Sequence, residues 1–183
     1  MSLPALLLAA GASRRLGRPK QLERIDGEPL VRRAARAALE AGFHPVLVVL
    51  GSERERVQSA LEGLDVVPVF NPLWEEGLAS GLRLGVAALP TDAAGVLLLV
   101  CDQVALEAGV LRRLRTTFDE HPDRPAACAY GGTVGVPALL PRALFPALAA
   151  LQGDRGARDL LREGAISPVP WPEGVQDLDG PQT

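Results

Sequence analysis

The only lysine of this chain lies in a loop whose composition suits phosphate binding. The chain has one lysine and eighteen arginines, and residues 8–20 read LAAGASRRLGRPK after an apolar run. Glycine permits positive φ and close backbone approach to a ligand. Arg14, Arg15 and Lys20 fall within reach of one anion, and an ammonium acts there as a compact point charge where a guanidinium is a planar fork. The pattern predicts a phosphate-binding loop; the alternative is an ordinary strand-to-helix turn with solvated cations.

A second chemical candidate is a carboxylate that follows an apolar run. Residues 96–101 read VLLLVC, typical of a strand covered on both faces, and Asp102 and Gln103 come directly after it. In parallel sheets, ligands bind at the carboxyl ends of the strands. A Mg²⁺ ligand belongs there when the substrate brings most of the other oxygens. Asp102 is therefore a candidate metal ligand; its alternative role is to cap the following helix.

The segment 71–82 (NPLWEEGLASGL) also combines polar residues with glycine. Ser80, near a predicted helix start, can present its hydroxyl and nearby N–H groups to a ligand. The alternatives are a helix cap for Ser80, a core position for Trp74 and a turn role for Asn71 before proline.

Short apolar runs alternate with helix-like stretches, and this alternation must position these groups. Strands are predicted at 3–9, 45–50, 65–70, 95–101, 125–130 and 166–170, and helices at 30–41, 52–61, 77–89, 107–121, 142–151 and 155–163. Gly42 should end the first helix, and Ser52 with Glu55 should form a capping box for the second. The order indicates an α/β three-layer sandwich with a mostly parallel sheet, organised as one domain over residues 1–183.

Composition narrows the classes of function. The formal net charge is −3, with 48% apolar and 22% charged residues, which gives no reason to expect nucleic-acid binding. The start lacks the basic region of a signal peptide and the apolar runs are too short to span a membrane, so we expect no membrane partner and a cytoplasmic location. Cys101 and Cys128 lie in strand-like runs and are expected to be buried, reduced thiols without zinc-ligand spacing.

The first loop closely resembles the L-A-A-G-x-S-x-R-x-G-x-x-K-x-L signature of the MobA/MocA-like nucleotidyltransferases, relatives of the sugar-phosphate and diphosphocytidyl transferases. All nine fixed positions are met, at Leu8, Ala9, Ala10, Gly11, Ser13, Arg15, Gly17, Lys20 and Leu22. The loop lacks G-x-G-x-x-G, which disfavours a Rossmann-type dinucleotide domain. The resemblance covers residues 3–181 and implies a Rossmann-like nucleotidyltransferase fold of the glycosyltransferase-A type.

The resemblance implies which residues hold the nucleotide. In the family the first loop wraps the triphosphate of the incoming nucleotide, with Arg15 and Lys20 as catalytic cations. The segment 71–82 follows the family's N-x-x-W-x-x-G-x-x-S-S-L, with Gly81 in place of the second serine, and implies a base and ribose pocket. The nucleotide-binding residues so implied are Leu8, Ala9, Ala10, Gly11, Ala12, Ser13, Arg15, Lys20, Asn71, Ser80, Gly81 and Asp102.

The resemblance also implies a metal. The family's G-D-Q-P appears here as C-D-Q-V from residue 101, and its D-I-D-T-P-E-D as D-L-D-G-P from residue 177. Mg²⁺ would then be the cofactor, with Asp102, also a catalytic residue, and Asp179 as its carboxylate ligands. Asp177 and Asp179 would point the same way in an extended segment, and the alternative for both is a solvated acidic end.

Two further matches imply a site for the acceptor. Residues 153–158 match the family's G-D-x-G-A-R, in which Asp154 is placed to cap a helix. Residues 135–137 match G-H-P except that Val136 replaces the histidine. The acceptor-binding residues implied are Gln103, Gly135, Arg155 and Arg158.

The substrates implied are CTP and a molybdopterin-like phosphate acceptor. The Ala9-Ala10-Gly11 form resembles the cytidylyl members, whereas guanylyl members tend toward a second glycine, and a pyrimidine leaves room for the Ala10 methyl. A molybdoenzyme is a candidate partner. Guanylyl transfer to molybdopterin, or nucleotidyl transfer to another small phosphate, stays open. So does a non-catalytic module that binds a nucleotide and assists cofactor insertion, which the departures at Cys101, Val104, Val136 and Gly180 motivate.

Overall fold

A seven-stranded, mostly parallel sheet forms the middle layer of the protein. The computed structural model describes residues 2–12, 17–162 and 164–176. Its strands are β1 Ala5–Ala9, β2 Arg24–Ile25, β3 Glu28–Pro29, β4 Val46–Leu50, β5 Val66–Phe70, β6 Gly95–Val100, β7 Ala126–Tyr130, β8 Thr133–Pro141 and β9 Ser167–Pro170. The sheet order is β5-β4-β1-β6-β8-β7-β9, and β2 and β3 form a separate hairpin. Only the pairs made by β8 are antiparallel in this sheet.

Helices cover both faces of the sheet and complete a three-layer sandwich. They are α1 Leu30–Glu40, α2 Arg54–Ala60, α3 Leu78–Ala87, α4 Ala108–Glu120, α5 Phe145–Ala149 and α6 Ala157–Arg162. Helices α1, α2 and α4 pack on one face, and α3, α5 and α6 on the other. Successive strand residues alternate between the two cores, Leu7 facing one and Leu6 the other, which is why the strands are apolar throughout. No helix in the described ranges is long and apolar enough to cross a membrane.

The predicted fold class is confirmed, and all six predicted strands are present. Strand β8 was missed because Gly135 and Pro137 interrupt its pattern, and proline is normally excluded from inner strands. A signal was available in the glycine pair before it. Gly131 and Gly132 have φ of 55° and 73° and join β7 to β8 in a two-residue hairpin turn.

The helix-end signals were right once and wrong once. Gly42, with φ of 82°, follows α1 as predicted. The capping box is wrong, because α2 begins at Arg54 after Glu53, whose side chain makes no capping hydrogen bond. Ser52 instead donates its backbone N–H to the carbonyl of Ala10 at 3.1 Å, so this residue braces the loop after β1.

The strand order creates a crevice at the carboxyl ends of β1 and β6. The chain leaves β1 for β4 on one side and later returns to β6 on the other side of β1. At such a switch point the loops after the two strands diverge and leave room for a ligand. The loop after β1 and the residues after β6 therefore meet at this edge.

Candidate active site

A cavity of 560 Å³ lies beyond the carboxyl ends of β1 and β6. Eight of the residues predicted to act on the nucleotide line it: Leu8, Ala10, Gly11, Ala12, Lys20, Asn71, Gly81 and Asp102. Ala9 is buried within β1, and Ser80 is buried in α3. Ser13, Arg15 and Asp179 lie outside the described residues. The fold thus brings segments that are distant in sequence to one edge of the sheet.

Gln21 holds the first loop at the end of β1. Its side-chain amide is buried and donates to the carbonyl oxygens of Ala9, at 3.0 Å, and Gly11, at 2.5 Å. These two bonds fix the backbone where the strand gives way to the loop. Gln21 therefore has a positioning role that the sequence analysis missed, although it lies between two matched positions, Lys20 and Leu22.

Lys20 and Asp102 face each other across the crevice. The Lys20 Nζ donates to Asp102 Oδ2 at 2.7 Å, and the two side chains are 26% and 21% exposed. One belongs to the short 3-10 helix Lys20–Leu22 and the other follows β6. The predicted phosphate cation and the predicted metal ligand are thus direct partners in this structure.

Asn71 and Ser80 tie the end of β5 to the start of α3. Asn71 Nδ2 donates to Ser80 Oγ at 2.9 Å, Asn71 Oδ1 accepts from the backbone of Leu73 at 3.0 Å, and Ser80 Oγ donates to the carbonyl of Gly77 at 2.8 Å. Both side chains are buried. The Ser80 hydroxyl is therefore engaged within the protein and holds this wall in place, and its predicted contact with the nucleotide stays a prediction. The cavity itself is lined here by Asn71, Trp74 and Gly81.

The loop before α6 closes the cavity beside α3. Gly77 has φ of 109°, and a methyl group at this position would overlap the Asp154 carboxylate and lie 2.6 Å from the carbonyl oxygen of Gly153. The backbone N–H of Ala79 donates to that same carbonyl at 3.0 Å. Only glycine permits this contact, which brings Asp154 to the cavity lining.

A second cavity, of 290 Å³, adjoins the first. The two share Leu8, Leu78, Val100 and Asp154. The second is lined mainly by apolar groups of β6, α3 and α6, with Val136, Arg158 and Asp159. A ligand that spans both would place one part against the first loop and another against α6.

Three of the four predicted acceptor residues converge on a group that the sequence analysis did not select, the Tyr130 hydroxyl. Gln103 Nε2 donates to the carbonyl of Val136 at 2.8 Å and lies 3.5 Å from Tyr130 Oη, which donates to the same carbonyl at 2.8 Å. A methyl group on Gly135 would lie 2.7 Å from that Oη and 4.0 Å from Arg158 Nε. Gln103 is buried, and its Oε1 has no hydrogen-bond partner within the described ranges.

Arg155 is placed differently from the other predicted acceptor residues. Its side chain is 62% exposed and donates to Asp159 Oδ2 at 3.1 Å, one helical turn further on. It lines neither cavity. Its predicted contact with the acceptor stays a prediction.

Burial keeps the thiol beside Asp102 neutral. Desolvation raises the pKa of Cys101 well above its ordinary range, with a further rise from the Asp102 carboxylate. The Cys101 Sγ lies 3.6 Å from the carbonyl of Leu8, to which it donates. Where the family motif has glycine, this chain therefore packs a protonated thiol into the core. Both cysteines are free and buried, as predicted.

The cavity lining suits a cation as well as a nucleotide. Among the described lining residues, Glu75, Asp102 and Asp154 are acidic, and Lys20 is the basic one. The described residues contain no cluster of three or more His, Cys, Asp or Glu side chains able to hold a metal. A single carboxylate still fits a divalent cation that takes most of its oxygens from phosphates. Asp102 lines the cavity and could be such a carboxylate.

Gln176, the last residue that the structure describes, lies beside the loop that follows Asp102. The backbone N–H of Val104 donates to the carbonyl of Gln176 at 3.3 Å. Arg33 Nη2 donates to the carbonyl of Val104 at 3.4 Å, so a residue of α1 braces the backbone on the other side of Val104. Gln176 is thus hydrogen-bonded to a residue, Val104, that comes two positions after Asp102 in the sequence.

The comparisons with known proteins agree with this architecture, which is that of nucleotidyltransferases. A nucleotidyl transferase of Methanothermobacter has a solved structure that superposes with a TM-score of 0.80 at 26% identity, over 98% of this chain and 92% of that one. The manganese complex of Rv0371c from Mycobacterium tuberculosis superposes with a TM-score of 0.75 at 29% identity, over 94% and 89%. A divalent metal is therefore bound by a protein of similar structure.

The chain belongs to the family defined by the MobA-like NTP transferase domain, whose model matches residues 5–169. It is 36% identical to nicotine blue oxidoreductase of Paenarthrobacter nicotinovorans, over 91% of this chain and 82% of that protein. It is 34% identical to a protein of Synechococcus elongatus named "probable molybdenum cofactor guanylyltransferase", over 67% of this chain and 62% of that protein. The predicted family is confirmed.

Proposed function

We propose that this protein transfers a nucleotidyl group from CTP to the phosphate of a molybdopterin-like acceptor and releases pyrophosphate. The observation that carries the proposal is the ion pair of Lys20 and Asp102 in a cavity at the switch point of the sheet. The chain belongs to the family of MobA-like NTP transferase domains, which fits this chemistry. Both parts of the site are built on one sheet, which supports residues 1–183 acting as one catalytic domain.

The reaction needs positioning and charge neutralisation more than covalent help. An acceptor phosphate oxygen attacks the α-phosphorus, the bond from that phosphorus to the bridging oxygen breaks, and pyrophosphate leaves with the electron pair. A phosphate monoester is already anionic near neutral pH, so no general base is required. Most of the rate enhancement in such reactions comes from orientation and from fixed charges.

Each part of the site has a role in this scheme. Lys20 neutralises charge on the α-phosphate and pyrophosphate, and Gln21 fixes the loop that cradles them. Asp102, with Asp179, is proposed to hold a divalent cation, which when bound screens the repulsion between acceptor and α-phosphate oxygens. The approach of Gln176 to Val104 supports this pair, because Asp179 comes only three residues after Gln176 in the sequence. Arg15 and Ser13 are proposed to complete the phosphate cradle.

The choice of nucleotide rests on the wall near Ala10. This side chain lines the cavity and has Gly51 behind it, where a built methyl would lie 2.8 Å from the Ala10 Cβ. The Ala10 methyl therefore takes up space in the cavity, which supports the smaller pyrimidine base. GTP is the competing nucleotide, favoured by the relative named as a guanylyltransferase.

The testing experiment measures pyrophosphate release from purified protein with Mg²⁺ or Mn²⁺, molybdopterin and each of the four nucleoside triphosphates. Release with CTP is expected, and release with GTP alone would replace cytidylyl by guanylyl transfer. Asp102→Asn should lower kcat by about a hundredfold or more. The matched control, Asp65→Asn, changes a carboxylate that is 85% exposed and should leave kcat unchanged. Nucleotide binding without any release would favour the non-catalytic module.

The similarity to nicotine blue oxidoreductase favours one second candidate, an oxidoreduction of a small organic molecule. Its test is the same protein incubated with nicotine blue and a chemical reductant, with absorbance as the readout. Turnover of nicotine blue that persists in Asp102→Asn, without pyrophosphate release from any nucleoside triphosphate, would select the oxidoreductase.

A further inference from the structure

Tyr130 joins three segments at the acceptor side of the site. It is the only tyrosine of the chain and ends β7. Its hydroxyl and the Gln103 amide share the carbonyl of Val136 as acceptor, at 2.8 Å each. The Tyr130 ring packs edge-on against Trp171, with centroids 5.8 Å apart. The ring therefore belongs to the core, while the hydroxyl faces the residues around the second cavity.

Arg158 is a charged group close to this hydroxyl, because a methyl built on Gly135 would lie 2.7 Å from Tyr130 Oη and 4.0 Å from Arg158 Nε. Burial raises the pKa of Tyr130, and the positive charge of Arg158 opposes that rise. Arg158 also lines the second cavity, as does Val136. The second cavity is thus lined by a cation, Arg158, that lies near the Tyr130 hydroxyl.

Gly135 shows how close this packing is. A methyl group there would lie 2.7 Å from Tyr130 Oη, a distance that requires one of the two to shift, but 3.5 Å from Tyr130 Cζ, which is ordinary contact. The hydroxyl alone therefore excludes a side chain at position 135. Glycine at this position and tyrosine at 130 form a matched pair.

We propose that Tyr130 is a positioning residue for the acceptor: its hydroxyl fixes the carbonyl of Val136, and with it the part of β8 that lines the second cavity together with Arg158. Among the described residues that line the second cavity, Arg158 is the one cation, so it is the group that would bind an anionic part of the acceptor there. The inference rests on the proposed function and names the residue that sets the acceptor half of the site.

The substitution Tyr130→Phe removes the hydroxyl and keeps the aromatic ring. The Trp171 contact stays, and Gln103 still donates to Val136, so thermal unfolding should be almost unchanged. The KM for molybdopterin should rise about fivefold, the effect of losing one neutral hydrogen bond that holds the wall of the second cavity. The Kd for CTP measured without acceptor should not change. A rise in both constants, or a matching loss of thermal stability, would overturn the proposal in favour of a structural role.

A double-mutant cycle gives the sharper test. Gly135→Ala should raise the KM for molybdopterin in the wild type, because its methyl displaces the hydroxyl. In the Tyr130→Phe background the same substitution should add almost nothing, since the nearest ring atom is then at van der Waals distance. Gly164→Ala, where a methyl meets no atom within 4 Å, is the matched control. Effects of Gly135→Ala that are equal in the two backgrounds would overturn the proposal.

A readout without turnover separates this inference from the proposed reaction. Isotope-labelled tyrosine gives one set of ring resonances, because the chain has one tyrosine. Molybdopterin without nucleotide should shift these resonances in the wild type and not in Arg158→Met. A shift without pyrophosphate release would sink the proposed function and retain the acceptor site. Release without a shift would retain the function and overturn the role of Tyr130.

Discussion

Replacing Lys20 by methionine is expected to change metal binding and nucleotide binding in opposite directions. The Lys20 ammonium lies 2.7 Å from the Asp102 carboxylate, which is also the proposed metal ligand. In the nucleotide-free protein a divalent cation therefore competes with the lysine for the same oxygens. Lys20→Met keeps most of the apolar stem and removes the competitor. It also removes a cation that the triphosphate needs.

The size of the effect follows from the geometry. Two unit charges 2.7 Å apart attract each other by about 6 kcal/mol at an effective dielectric constant of about 20. Desolvation of the two side chains offsets much of that, and charged hydrogen bonds contribute a net value of about 1.5–3 kcal/mol. A metal that binds to Asp102 must displace Lys20 in the wild type. Because Lys20→Met has no such ion pair to break, it should bind Mn²⁺ about 10- to 100-fold more tightly. Turnover with saturating substrates should fall about a hundredfold.

Electron paramagnetic resonance of free Mn²⁺, titrated against nucleotide-free protein, measures the first effect, and calorimetry with CTP measures the second. The matched control is Arg18→Met, which removes the same charge from the same loop. Arg18 is 64% exposed and pairs with Glu23 at 2.7 Å. Its loss should change Mn²⁺ affinity less than about twofold. The reasoning is refuted if Lys20→Met binds Mn²⁺ no more tightly than the wild type, or if both variants gain equally.

Three further predictions concern packing and pH. A methyl at Gly81 would meet its neighbours at 3.5–3.9 Å, so Gly81→Ser should keep the thermal stability and weaken GTP binding more than CTP binding; calorimetry with both nucleotides checks this. Gly77→Ala should lower the free energy of unfolding by about 2–4 kcal/mol through strain and overlap with Asp154, whereas Gly63→Ala, strained but unobstructed, should cost about 1 kcal/mol; equal losses in urea titrations would contradict the overlap. Burial raises the pKa of Cys128 from 9.0 to about 12, so its contribution to stability is complete below the unfolded pKa and is lost as the pH rises toward 12. At about pH 10 that loss is about 1 kcal/mol, and Cys128→Ala should lose that much less stability than the wild type between neutral pH and pH 10 in urea titrations.

The sequence predicted the layered fold because its signals are local. A strand buried on both faces must be apolar along its whole length, as residues 46–50 and 95–100 are. The spacing of such runs and helices favours a parallel sheet before any contact is known. Strand β8 was not predicted because the residues that place it between β6 and β7 lie on those neighbouring strands. Its own glycine and proline are locally typical of a loop.

The sequence also predicted the edge of the sheet that carries the chemistry. Asp102 follows an apolar strand and Lys20 lies in a loop after another, and the carboxyl ends of parallel strands share one edge. That rule brings two residues, 82 positions apart, to the same crevice. It does not determine that they form a direct ion pair, because the distance between two loops depends on the packing of both.

Only the tertiary structure decided which polar groups line the cavity and which form hydrogen bonds within the protein. The sequence predicts that Ser80 presents its hydroxyl to a ligand, and the structure adds that this hydroxyl bonds to Gly77 and Asn71. Gln21 and Tyr130 attracted no attention in the sequence, yet they fix the two halves of the site. A side chain's hydrogen-bond partners are set by whichever segments the topology brings beside it, and those contacts leave no pattern in the neighbouring residues.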